Sequence, residues 1–114
     1  MSLLLIDDDE ISSQILGYIL VDEGYKVDSA ATGGVAIEKF SGCKYDLALL
    51  DYVLPDMSGR DVMKKIRAID PHVKIILLSG YANTEEPNED GFDRTLLKPV
   101  SPDDIVKTIK EILS

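Results

Sequence analysis

The chain has 114 residues, with 12 Lys and Arg against 21 Asp and Glu, for a net charge of −9. That length bounds it to one domain with a real core, and the lone Cys43 excludes an internal disulfide. The acidic balance argues against binding nucleic-acid backbones or anionic membrane surfaces, and no apolar run nears the ~20 residues of a membrane span, so a soluble, cytoplasmic domain is expected.

The first strand is expected over 3–6, all apolar, and it ends on Asp7-Asp8-Asp9. Ile11, Ile15, Leu16, Ile19 and Leu20 then recur at the spacing of one helix face, and Gly24 closes that helix. Residues 26–30 alternate polar and apolar, as an edge strand does. Thr32 followed by Gly33-Gly34 opens a second helix with Val35, Ile37 and Phe40 inward. Residues 47–50 form a buried strand that ends on Asp51, and Leu54-Pro55 breaks regular structure. Ser58 with Asp61 three residues on is a helix-capping pattern, Val62, Ile66 and Ile69 form the stripe, and Pro71 stops the helix. A fourth strand over 74–78 ends on Ser79-Gly80. Residues 81–94, with Pro87 and five acids, read as a short helix with a solvated face. A fifth strand over 95–97 closes on Lys98-Pro99. Ser101-Pro102-Asp103-Asp104 is a strong helix start, followed by Ile105, Val106, Ile109, Ile112 and Leu113 inward. The abrupt start, and an end directly after a helix, also suit a module excised from a longer protein.

Five strands alternating with five helical segments predict an α/β fold, a doubly wound parallel sheet covered on both faces. In such sheets the site lies outside the carboxyl ends of the strands. Asp7, Asp8, Asp51, Ser79 and Lys98 all end strands, so three carboxylates, a hydroxyl and an ammonium should share one edge. Each alone has a plain explanation as a helix-start acid, a loop acid, a turn or a surface lysine; their coincidence at four strand ends does not. Two carboxylates ~5 Å apart repel by roughly 3 kcal/mol at an effective dielectric of ~20. Lys98 offsets one charge, and the rest calls for a divalent cation. Carboxylates with open water positions suit Mg²⁺, with Mn²⁺ as a substitute. Such a site does phosphoryl chemistry, with Asp51 as the nucleophile that forms an aspartyl phosphate. Cys43, His72, Met57 and Met63 read as loop, turn and gap-filling residues.

The stretches Leu5-Ile6-Asp7-Asp8-Asp9, Leu49-Leu50-Asp51-Tyr52-Val53-Leu54-Pro55-Asp56-Met57-Ser58-Gly59, Leu77-Leu78-Ser79-Gly80-Tyr81-Ala82 and Leu96-Leu97-Lys98-Pro99, in this order and spacing, resemble the receiver domain of two-component response regulators. The resemblance covers nearly the whole chain and implies a flavodoxin-like, CheY-like sheet of order 2-1-3-4-5. It implies that Asp51 accepts a phosphoryl group from a histidine kinase or histidine phosphotransfer domain. Asp8, Asp51 and the Val53 main-chain carbonyl would bind Mg²⁺, and Asp7 would act through a metal-bound water. Ser79 and Lys98 would contact the phosphoryl oxygens, supported by Gly80 and by a cis Lys98-Pro99 bond. Movement of Ser79 would reshape the surface around the fourth helical segment and the fifth strand, and a monomer or weak dimer is expected. Two positions depart from the family: Thr95 replaces the frequent aromatic three before the lysine, and Pro87 interrupts the fourth helical segment. The Ser-Gly-Tyr-Ala run also resembles receivers fused to hybrid sensor kinases.

Two other classes fit the sequence less well. A haloacid-dehalogenase-type phosphatase needs an acid two residues after its nucleophile, where this chain has Val53. A phosphorylation-independent interaction module would not need all five site residues. Nucleotide-binding alternatives fail because the chain has no Gly-x-x-x-x-Gly-Lys loop and because Asp7-Asp8-Asp9 would repel a phosphate after the first strand.

Overall fold

The computed structural model describes residues 1–80 and 91–114. The strands are β1 (Ser2–Ile6), β2 (Lys26–Ala30), β3 (Leu47–Asp51), β4 (Lys74–Ser79) and β5 (Arg94–Leu97). The helices among the described residues are α1 (Glu10–Asp22), α2 (Gly33–Gly42), α3 (Gly59–Ile69) and α4 (Pro102–Leu113). All pairings are parallel, in the order β2-β1-β3-β4-β5. The helix expected over 81–94 falls mainly on 81–90, outside the described residues; its last residue, Arg94, already belongs to β5.

Strand alternation divides the core in two. Leu4, Ile6, Ala48, Leu50, Ile75 and Leu77 pack on one face with Ala36, Phe40, Val62 and Ile66 of α2 and α3. Leu3, Leu5, Leu47, Leu49, Ile76 and Leu78 pack on the other with Leu20 of α1 and Ile105 and Ile109 of α4. Each fully buried Leu or Ile contributes roughly 1.5–3 kcal/mol. This arrangement explains why the three central strands read as unbroken apolar runs: both of their faces are covered.

Side-chain caps set the starts of all four described helices. Asp9 accepts from the Ile11 and Ser12 amides, Thr32 from Val35, Ser58 from Asp61 and Ser101 from Asp104. Gly24, at φ 101°, turns the chain out of α1 where a side chain would be strained. As a cap, the Asp9 carboxylate is committed to α1, while the Asp9 amide donates to the Asp7 carboxylate at 2.9 Å.

Several expected inward residues face outward. Ile11 and Ile15 are 70% and 54% exposed, because α1 turns Leu16 and Leu20 to the sheet and Tyr18 and Val21 are exposed as well. Apolar residues run all round this helix, so periodicity did not single out the packed face. Val35 is exposed and Ala36 takes its place, since α2 packs through Gly33, Ala36 and Phe40. Ile69, at the end of α3, is also exposed.

Of the acids expected on a solvated face, Glu85, Glu86, Glu89 and Asp90 lie outside the described residues. Asp93 instead accepts from Arg67 at 2.9 Å and from the Ile75 amide at 2.7 Å. Arg67 also donates to the main-chain oxygens of Pro71, Val73 and Gly91, tying the end of α3 to the starts of β4 and β5. Cys43 and His72 are exposed.

Candidate functional site

The parallel register brings the ends of β1, β3, β4 and β5 to one edge. Asp51 is the last residue of β3 and lies opposite Leu78, so Tyr52 and Ser79 continue the two strands side by side. The Tyr52 amide donates to the Leu78 carbonyl at 3.0 Å. Ser79 pairs with Leu97, and its main-chain oxygen accepts from the Lys98 amide at 2.7 Å. The Lys98-Pro99 bond is cis. Gly80 is exposed just beyond β4.

Asp51 is buried at 8% exposure, and its Oδ1 accepts from the Lys98 Nζ at 3.1 Å. One carboxylate oxygen each from Asp7, Asp8 and Asp51 lies within 4.8 Å of the others. Asp7 is half-buried, Asp8 is exposed, and Ser79 is buried. Of the residues predicted for the site, the structure therefore joins Asp7, Asp8, Asp51 and Lys98 by distance and places Ser79 beside them by register. Val53 sits in the loop after β3, its side chain 56% exposed, bridged antiparallel to Ser58. Thr95 is half-buried in β5 opposite Leu77.

A cluster of hard oxygen donors with one side open to water fits the coordination of Mg²⁺. The electrostatics agree. Burial pushes the Asp7 carboxyl above its ordinary value of 3.8, and the charges of Asp51 and Asp8 push the same way, while the Asp9 amide and Lys98 oppose them. The folded state thus holds this proton more firmly than the unfolded chain does. Without metal, stability falls as pH rises from about 3.8 through the folded value, and the loss persists at neutral pH. Asp7→Asn is therefore expected to raise the melting temperature at neutral pH in chelator. The gain should vanish below about pH 3.8, where Asp7 is neutral in both states. Scanning calorimetry across pH checks this; a variant less stable than the native chain at neutral pH would refute it.

The sequence reading missed three supports of the site. Gly59 lets α3 close on the strand exit: a Cβ there would lie 2.9 Å from the Tyr52 Cα and 3.1 Å from the Asp51 carbonyl oxygen. Gly33 lies where a Cβ would meet Met57 and Val62 at 2.5–2.8 Å. Asp56, three residues after Val53, accepts from the Gly33 and Gly34 amides at 2.9 Å each. A signal for Asp56 did exist: the first turn of α2 has no acid of its own, which favours a carboxylate from elsewhere.

Beside Asp7 and Lys98 runs a groove of about 590 Å³ between α1 and the start of α4, lined also by Ser13, Ile15, Leu16 and Pro99.

Comparison with known proteins gives a consistent result. The family model for the response regulator receiver domain matches residues 3–110. The chemotaxis protein CheY of Thermotoga maritima is 33% identical over 113 residues, covering 96% of this chain and 94% of that protein. The cell cycle transcriptional regulator CtrA of Caulobacter vibrioides is 32% identical over 116 residues, covering 99% of this chain; the chain spans 50% of CtrA's length. Among solved structures, a CheY-like receiver domain protein from Methanospirillum hungatei superposes with a TM-score of 0.92 at 37% identity, over 98% of this chain and 92% of that one. The response regulator TrrA of T. maritima, solved in complex with Mg²⁺-BeF, gives 0.86 at 32% identity over 96% of both chains.

Proposed function

Because the chain belongs to the response regulator receiver domain family of two-component signalling, we propose that it is a phospho-accepting switch whose acceptor is Asp51. The observation that carries this reading is the meeting of Asp7, Asp8 and Asp51 within 4.8 Å, with Lys98 on the Asp51 carboxylate. The receiver is a single domain, either alone or as one module of a longer protein.

An oxygen of the Asp51 carboxylate attacks the phosphorus of a phosphohistidine. The new O–P bond forms as the P–N bond breaks, and the electron pair leaves on the imidazole nitrogen. Lys98 holds the carboxylate in place, and its ammonium balances charge on the transferred oxygens. The Ser79 hydroxyl, at the neighbouring strand end, contacts those oxygens once the group has moved. Asp8, Asp51 and the Val53 carbonyl would hold Mg²⁺, with Asp7 acting through a water, and the cation would supply positive charge to the phosphoryl oxygens. Mn²⁺ would serve in its place.

The donor is a histidine kinase or a histidine phosphotransfer domain in the cytoplasm. Exposed Ile11, Ile15 and Tyr18 lie on the helix that borders the groove beside Asp7 and Lys98, a surface suited to a partner that presents its phosphohistidine to Asp51. No described helix is long and apolar enough to cross a membrane. Phosphorylation would act on the surface around β5 and the segment before it; dimerisation there would be weak.

Incubation with Mg²⁺ and a small acyl phosphate tests the reading by intact-protein mass and peptide mapping. The expected result is a gain of one phosphate, on the peptide containing Asp51, that is lost in chelator. A gain elsewhere, or none, would sink it.

A further inference from the structure

We infer that Asp56 is a positioning residue for the cation site, clamping the loop that carries the Val53 carbonyl onto the first turn of α2. The inference rests on the proposed cation site and goes beyond it, because the Asp56 carboxylate accepts from α2 amides that belong to no part of that site.

The loop from Tyr52 to Ser58 is held at its base by two contacts. The Gly59 amide donates to the Tyr52 carbonyl at 2.8 Å, and Val53 bridges to Ser58. Beyond the base, Leu54 is buried in the core and Asp56 ties the apex to α2. There the two Asp56 oxygens divide between two donors, Oδ1 to the Gly33 amide and Oδ2 to the Gly34 amide. Met57 fills the notch left by the missing Gly33 side chain.

The clamp is not redundant. A helix start leaves amides without intrahelical partners. In α2, Thr32 serves Val35 through its hydroxyl and Ala36 through its carbonyl. Gly33 and Gly34 are served by Asp56, whose charge also suits the positive end of the helix. Loss of the Asp56 carboxylate therefore leaves two amides to water and removes the polar tie between the apex and α2, while buried Leu54 and partly buried Met57 keep the loop packed.

The same segment braces the opposite side of the site. The Ala30 carbonyl, three residues before Gly33, accepts from the Asp7 amide at 3.0 Å. The acidic turn after β1 and the loop after β3 thus share one support, the stretch 30–34. An outer group that fixes ligand geometry in this way typically changes metal affinity 10–100-fold.

The test is a calorimetric titration with Mg²⁺ of the native chain, Asp56→Ala and Asp56→Asn, joined to thermal melts with Mg²⁺ and with chelator. Asp56→Ala should bind Mg²⁺ about tenfold more weakly. Asp56→Asn, with one carbonyl oxygen for two amides, should lie between. Mg²⁺ should raise the melting temperature of Asp56→Ala less than that of the native chain. Equal affinities, or a melting temperature lowered by the same amount with and without Mg²⁺, would reduce Asp56 to a helix cap and overturn the inference alone. No Mg²⁺ binding by the native chain would overturn the cation site and the inference with it.

Discussion

Asp51→Asn is expected to cut phosphate uptake from an acyl phosphate by roughly a thousandfold or more, the scale seen when a nucleophile is removed. The amide is nearly the same size as the carboxylate and can still accept from the Lys98 Nζ, which lies 3.1 Å from Asp51 Oδ1. The fold should therefore persist. What is lost is the anionic oxygen that attacks phosphorus and one of three negative charges within 4.8 Å of one another. Two such charges repel by roughly 3 kcal/mol at an effective dielectric of ~20. Asp51→Asn should therefore melt at a higher temperature than the native chain in chelator while failing to gain phosphate. Intact mass and calorimetry on one preparation check both. Uptake near the native level would remove Asp51 from the acceptor role.

Lys98→Ala is expected to slow uptake about a hundredfold, as loss of one charged group that stabilises a transition state does. The ammonium touches Asp51 directly, so its removal takes positive charge from the place where phosphoryl oxygens would sit. Asp7 should respond too, since Lys98 opposes the burial that pushes its carboxyl up. Lys98→Arg should recover only part of the rate: it keeps the charge, but its planar fork replaces a compact head on a flexible stem. Rates at saturating Mg²⁺, read by mass, separate this from weakened metal binding. A native rate in Lys98→Ala would refute the role.

Much of the fold is legible in the sequence because its determinants are local. The caps Thr32, Ser58 and Ser101 each act within three residues, and the apolar runs of β1, β3 and β4 show that both faces are covered. The packed face of α1 was not legible, because Ile11, Ile15, Tyr18 and Val21 are apolar yet exposed. Only contact with the sheet selects Leu16 and Leu20.

The same division holds at the site. The strand-ending residues Asp7, Asp8, Asp51, Ser79 and Lys98 could be named from sequence, since a parallel sheet puts strand ends on one edge whatever their separation in the chain. Their distances could not. Lys98 meets Asp51 across 47 residues, through the β3-β4-β5 register and the turn at Lys98-Pro99. Asp56 meets Gly33 across 23 residues, through the packing of α2 on α3. By itself the sequence determined the described elements, the sheet and which residues end its strands, because helix caps and apolar periodicity work over a few residues. Tertiary structure alone decided which face of α1 is buried, that Asp9 is a cap while Asp7 and Asp8 join Asp51, and that a loop carboxylate holds α2. Those outcomes depend on long-range packing, in which residues distant in the chain compete for the same space and the same hydrogen bonds.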